Sequence, residues 1–183
     1  MDHADHVRLI RDGVVSAGSP SQPDAELALW ADLGSGRGAF TLALADLLGP
    51  RGRIYSVDRD GSALREQQRQ MQARFPDAVV QYVTADFTRP LDLPSLDGIL
   101  LANSLHFQRQ QEAVLCAVRA YLKPGGRLVL VEYNIERGNP AVPYPAPFAA
   151  WQQLARRAGF AETQLLATRP SQFLKQIYSA VSW

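Results

Sequence analysis

An Asp-x-Gly-x-Gly-x-Gly run, Asp32-Leu33-Gly34-Ser35-Gly36-Arg37-Gly38, separates an apolar stretch from a helix-forming one. That placement limits the chain to few folds. Leu27 to Leu33 reads as a strong strand, and Ala39 to about Leu48 as a helix stopped by Gly49-Pro50. The glycines between them allow a sharp turn and a close ligand approach, with amides at the helix start pointing outward. Strand, glycine turn and helix together form the first half of a parallel crossover unit.

The alternation continues. Arg53 to Val57 reads as a second strand ending at Asp58, Ser62 to Phe75 as a polar helix closed by Pro76, and Val79 to Thr84 as a third strand ending at Ala85-Asp86. Leu96 to Ala102 is apolar enough for a strand buried on both faces. A helix follows at Gln110 to Tyr121. Lys123-Pro124-Gly125-Gly126 then turns the chain into a fifth strand, Arg127 to Glu132. After a Pro-rich loop, Gly138 to Pro147, come a helix (Phe148 to Ala158) and two strand-like stretches, about Glu162 to Ala167 and Gln176 to Trp183. At the other end, Ala4 to Val15 forms a short helix with Val7, Ile10 and Val14 on one side, followed by the breaker-rich Gly18 to Pro23. The expectation is a single α/β domain over residues 1–183 with a Rossmann-like, doubly wound, mostly parallel sheet. Residues 1–23 form an N-terminal helix and linker, a candidate lid.

Composition narrows the function classes. A chain of 183 residues with net charge +1 offers no general attraction for nucleic acid or anionic membrane. No apolar segment approaches the ~20 residues of a membrane span, and no signal-like start is present, so a cytoplasmic protein is expected. The single cysteine, Cys116, excludes an internal disulfide. Its apolar neighbours suggest a small buried residue. His3 and His6 read as surface or tail residues.

Ligands of such sheets bind beyond the C-terminal strand ends near the switch point, which directs attention to Gly34–Gly38, Asp58, Asp86 and Asn103–Phe107. Asp58 closes the second strand, about 20 residues past the glycines, where an acid binds ribose hydroxyls. Asp86 ends the third strand, placed to accept from an exocyclic amine, with Phe87 beside it to pack on an adenine face. Each acid alone also suits a helix cap. The loop alone leaves a dinucleotide-binding reading open, since Ala39 occupies the last position of Gly-x-Gly-x-x-Gly/Ala.

These motifs together resemble the class I S-adenosylmethionine-dependent methyltransferases, in particular the small-molecule branch, from about Leu27 to Glu132. The glycine run is similar to the family's first motif, Asp58 to its ribose-binding acid and Ala85-Asp86-Phe87 to its adenine-side motif. Leu101 to Phe107 resembles the segment under the methionine moiety, and Leu122 to Leu128 the Pro-Gly-Gly turn before the fifth strand. The third-strand motif and that turn favour this family over a NAD(P)-binding oxidoreductase. The resemblance implies a C-terminal antiparallel hairpin and S-adenosylmethionine as cofactor. It also implies cofactor contacts from Asp32, Gly34, Ser35, Gly36, Gly38, Asp58, Arg59, Asp86, Phe87 and Asn103.

The expected reaction is methyl transfer to a small organic acceptor, with no nucleic-acid target, no membrane partner and no metal. His106, just beyond the fourth strand and with an ordinary pKa near ~6.5, is the candidate general base; a helix-capping or cofactor-contact role is the competing reading. Tyr133, Arg137 and Tyr144 are candidate acceptor contacts. Arg8, Ile10 and Arg11 belong to the helix expected to act as a lid. A cofactor-binding sensor or assembly protein without transferase activity carries the same cofactor motifs and is the alternative.

Overall fold

A computed structural model describes residues 1–15 and 27–183, so the Gly18–Pro23 linker lies outside the described residues. One sheet has seven strands: β1 (Ala28–Leu33), β2 (Gly52–Asp58), β3 (Val79–Thr84), β4 (Leu96–Ala102), β5 (Leu122–Tyr133), β6 (Thr163–Pro170) and β7 (Gln176–Ser182). Their spatial order is β3-β2-β1-β4-β5-β7-β6. The first five run parallel, while β7 is antiparallel to both β5 and β6. The helices are α1 (His3–Val14), α2 (Ala39–Leu48), α3 (Gly61–Arg74), α4 (Gln111–Arg119) and α5 (Phe148–Arg157). This is the expected doubly wound α/β architecture with its C-terminal hairpin. The strand order reverses between β1 and β4, and that switch point opens the crevice used below.

The central strands are apolar on both faces because each face carries a core. One holds Leu33, Ile99, Leu101, Leu128 and Leu130 under α4 and α5. The other packs Trp30, Leu100, Val129 and Val131 against α1 and α2. Gly98 permits this closeness, since a Cβ there would stand 2.4 Å from the Trp30 ring.

The expected turn at Lys123–Gly126 lies inside β5. Leu96 pairs with Leu122 and Gly98 with Arg127, so residues 123–126 bulge out of the ladder. Gly125 takes φ +78° to make the excursion. A correction concerns Cys116, which is exposed. In α4 the buried residues are Val114, Leu115 and Val118, and helical geometry turns position 116 away from that stripe.

Much of the N-terminal helix packs into the core. Leu9 and Ile10 are buried at 2% and 0% exposure, and Gly13 lies against Val129 and Leu166. A capping box formed by Asp2 and Asp5 starts the helix, and Asp5 also pairs with Arg169 of β6. Arg8 and Arg11 face solvent. Because α1 is a core element, Ile10→Ala should cost about 2–5 kcal/mol in urea unfolding. A helix lying loosely over a ligand would lose within about 0.5 kcal/mol, and that result would contradict the assignment.

Candidate functional site

The glycine turn is shaped by what lies beneath it. Gly34, Gly36 and Gly38 all have positive φ, at +78°, +54° and +82°. At Gly34 a Cβ would stand 2.5 Å from Ser104 Cβ, and at Gly38 2.2 Å from Gln67 Cγ, so both the conformation and the space demand glycine. Backbone bonds to the neighbouring strand fix the turn: Gly34 N and Ser35 N donate to Val57 O at 2.8 and 3.1 Å. The other strand ends are tied in the same way, Ala85 N to Asp58 O at 3.0 Å and Asn103 N to Val131 O at 2.9 Å.

Under the turn runs a buried polar chain. Ser56 Oγ donates to Gln67 Oε1 at 2.7 Å, the Gln67 amide donates to Thr41 Oγ1, and Thr41 Oγ1 donates to Asp32 Oδ2 at 2.6 Å. Asp32 is 1% exposed. Burial pushes its pKa up to about 7, the Thr41 bond opposing the shift and the charge of Asp58 adding to it.

Asp58 is half-buried at the end of β2 and accepts two backbone bonds, from Gly36 N to Oδ2 at 2.7 Å and from Asp60 N to Oδ1 at 2.8 Å. Each oxygen retains a lone pair for a ligand hydroxyl. Asp86 Oδ1 accepts from Thr88 N at 2.9 Å and Thr88 Oγ1 at 2.7 Å. Those two bonds hold the carboxyl below the usual range. Neither acid caps a helix: the N-cap of α3 is Asp60, and the Asp86 bonds to Thr88 close a turn, while both residues line the cavity at the strand ends. Phe87 is mostly core, 9% exposed. Asn103 has φ +52°, and its Oδ1 is buried without a hydrogen-bond partner.

These strand ends surround one cavity of about 670 Å³, within the range of small-molecule sites. Every candidate cofactor residue lines it: Asp32, Gly34, Ser35, Gly36, Gly38, Asp58, Arg59, Asp86, Phe87 and Asn103. A nucleoside-type ligand fits what is there. At Gly36 nothing lies within 4 Å of where a Cβ would stand, so the turn's backbone is open there, and Asn103 Oδ1 is an orphaned acceptor in the wall, a group that costs free energy unless a donor reaches it.

The remaining candidates lie elsewhere. His106 is not part of the lining; its ring is 3% exposed, with Nδ1 2.6 Å from Oε2 of the equally buried Glu132. Glu132 Oε1 also accepts from His106 N at 3.2 Å. The cavity instead reaches its neighbour Phe107. Tyr133 is half-buried, its ring 6.2 Å from His106 and 5.8 Å from Phe173. Burial, with the Glu132 charge, raises its pKa. Tyr144 and Arg137 are exposed, and Tyr144 N donates to His106 O at 3.0 Å.

The sequence gives no local signal for Met1, His6 and Phe40, which the cavity also touches. They arrive there because α1 docks beside α2, a tertiary contact with no sequence motif. Expected at the surface, His6 is half-buried and His3 bonds Asp46 at 3.0 Å. Among the described residues, no group of three or more His, Cys, Asp or Glu is arranged to hold a metal ion. No helix there is long and apolar enough to cross a membrane.

A doubly wound sheet with an acid-flanked glycine turn at its switch point defines a Rossmann-like protein that binds a nucleoside cofactor. The chain belongs to the methyltransferase domain family, that of the class I S-adenosylmethionine-dependent methyltransferases, whose model matches residues 31–130. The dinucleotide alternative is thereby set aside. Among curated relatives, the ubiquinone/menaquinone biosynthesis C-methyltransferase UbiE of Ectopseudomonas mendocina is 30% identical over 110 residues, 60% of this chain and 43% of that protein. The chain thus spans less than half the length of this relative. Among solved structures, the YcgJ protein of Bacillus subtilis superposes with a TM-score of 0.74 at 14% identity, covering 98% of both chains. A magnesium protoporphyrin IX methyltransferase from Synechocystis PCC 6803, solved with bound S-adenosylmethionine, gives 0.70 at 19% identity, covering 98% of this chain and 79% of that one. Both share the fold.

Two outcomes follow for the acids. Asp58→Ala should weaken S-adenosylhomocysteine binding by roughly 1–3 kcal/mol in calorimetry; unchanged affinity in a folded variant would leave Asp58 only its backbone bonds. Folded Asp32 keeps its proton to about pH 7, whereas in the unfolded chain the group titrates near 3.8. Between those limits the folded state binds the extra proton, so this group lowers stability as pH rises, by about 1.4 kcal/mol per pH unit. Asp32→Asn should remove that slope in urea unfolding at several pH values within the window, and equal slopes in both proteins would refute the raised pKa.

Proposed function

We propose that this chain transfers the methyl group of S-adenosylmethionine to a small aromatic acceptor. The observation that carries the reading is the convergence of the glycine turn, Asp58, Asp86 with Phe87, and the orphaned Asn103 Oδ1 on one cavity. Membership of the methyltransferase domain family supports it. In this reading Asp58 accepts from the ribose hydroxyls, with Arg59 beside it. Asp86 takes the exocyclic amine and Phe87 borders the adenine. The glycine turn, Ser35 and Asn103 hold the methionine end near Asp32. When bound, S-adenosylmethionine supplies a methyl group already activated for displacement, so the main task of the protein is alignment.

Acceptor size and type rest on different features. The cavity has the dimensions of a small-molecule site, and a net charge of +1 gives no phosphate-tracking surface. Aromatic walls favour a ring: Phe40 and Phe107 line the cavity, and Tyr133 and Phe173 meet at a tilt beyond the His106 ring. The C-methyltransferase relatives carry quinone biosynthesis in their names, consistent with a ring acceptor. His106, bonded to Glu132, serves to hold Phe107 and the Tyr144 backbone in place. Tyr144 and Arg137 sit on the outer approach.

The test begins with calorimetry, where S-adenosylhomocysteine should bind and NAD should not. Incubation of the full chain with S-adenosylmethionine and simple phenols, amines, thiols and quinols, read by release of S-adenosylhomocysteine, should then give turnover on a ring compound. Binding without turnover on any acceptor would favour a sensor. Methylation of tRNA or DNA with none on small molecules would overturn the acceptor class.

A further inference from the structure

The chain has three histidines, and each is in a different chemical situation. His3 places Nε2 3.0 Å from Asp46 Oδ2. His106 is committed to Glu132 at 2.6 Å, out of contact with solvent. His6 is the one that lines the cavity. Among the described residues its ring nitrogens have no hydrogen-bond partner. Its ring meets Phe40 edge-on, with centroids 4.7 Å apart and planes at 68°.

That position is built by the fold. The Asp2–Asp5 capping box fixes the start of α1, the Asp5–Arg169 pair ties it to β6, and Leu9 and Ile10 anchor the next turn in the core. Residue 6 therefore stands on a held helix and lines the same cavity as Asp32, Asn103 and Phe107. Burial, with help from the N-terminal ammonium, moves the His6 pKa below its usual 6.5. At neutral pH the ring is neutral, and one nitrogen presents an unshared lone pair. Packing on Phe40 alone does not call for that nitrogen.

Resting on the methyl-transfer reading above, we infer that His6 is the general base of this site and takes the proton from a phenolic hydroxyl of the acceptor. The O–H bond breaks and its proton passes to a ring nitrogen of His6. The electron pair left on oxygen forms the new bond to the methyl carbon, while the pair of the breaking carbon–sulfur bond stays on sulfur. The imidazolium then gives its proton to water, so the cycle needs no other reactant. Phe40 and Phe107 flank the path of the phenol ring, and the apolar wall keeps His6 neutral between turnovers.

The experiment has two arms on the full chain. In the first, diethyl pyrocarbonate acylates unshared imidazole nitrogens, and peptide mapping locates the adduct. His6 should react ahead of His106, and S-adenosylhomocysteine should slow the reaction at His6 about tenfold while leaving His3 unaffected. Modification of His6 that S-adenosylhomocysteine does not slow would overturn the inference. The second arm compares wild type with His6→Phe, which retains an aromatic ring beside Phe40, and with His6→Gln, using S-adenosylmethionine and a series of para-substituted phenols. Turnover should fall about a hundredfold or more in both variants. The loss should be smaller for the more acidic phenols, and S-adenosylhomocysteine affinity should stay within about threefold of wild type. Wild-type turnover in His6→Phe, or parallel losses of turnover and S-adenosylhomocysteine affinity, would refute the base assignment. A wild type that binds S-adenosylhomocysteine but methylates only other acceptors would also refute it and leave the methyl-transfer reading intact. Absence of S-adenosylhomocysteine binding would remove the methyl-transfer reading itself.

Discussion

Asp32 is a carboxylate removed almost wholly from water at the end of the central strand, and the hydroxyl of Thr41 is its hydrogen-bond donor. Leaving such a group without a donor costs several kcal/mol, so whatever supplies the donor is held in register. Thr41 belongs to α2, its own donor Gln67 to α3, and the donor to Gln67, Ser56, to β2. Three elements are thus positioned by one buried acid. Gln67, drawn inward by this chain, occupies the space a side chain at position 38 would need. The glycine turn is consequently shaped from below as well as by its own freedom to take positive φ.

A second buried acid does the same for the other side of the switch point. Glu132, next to last in β5, accepts from the backbone N–H of His106 and pairs with its ring Nδ1. His106 O in turn receives Tyr144 N, so the segment after β4 and the Pro-rich loop are joined through one residue. Asp32 secures the glycine-turn side of the switch point, and Glu132 the side of the segment after β4. Asp58 and Asp86 differ from both in being partly exposed. Their backbone bonds orient them without exhausting their lone pairs.

What could be read from sequence follows from how local each cause is. The strands and helices were legible because their apolar patterns are short-range, and the glycine turn because positive φ selects glycine. Asp58 and Asp86 could be placed at one edge since every parallel strand ends there. The bulge at residues 123–126 was not legible as part of β5, because Pro124 and Gly125 signal a turn and only pairing with β4 shows the strand resuming. Cys116 misled because an apolar run hides which residues share a helical face. For α1 the periodicity was visible at Val7 and Ile10, but its docking beside α2 depends on Arg169, Val129 and Leu166, far along the chain. His106 shows the same limit: proximity to the site in sequence says nothing about which way Glu132 draws its ring.

The charge state of the cavity links these features to chemistry. Burial raises Asp32 toward neutral pH and lowers His6 from its own ordinary value. Both shifts disfavour charge, so Asp32 and His6 bring little net charge to the crevice. A sulfonium brings a positive charge into that space, which favours ionised Asp32 and disfavours protonated His6. In the proposed transfer, loss of the methyl group would leave neutral sulfur, and the positive charge would depart as the acceptor's proton. In that proposal, an acid that becomes charged when the cation arrives and a base that stays neutral until the proton must leave would be matched to opposite ends of the sequence. The matching depends on α1, since without its anchored first turns His6 would be in water and would titrate as an ordinary imidazole.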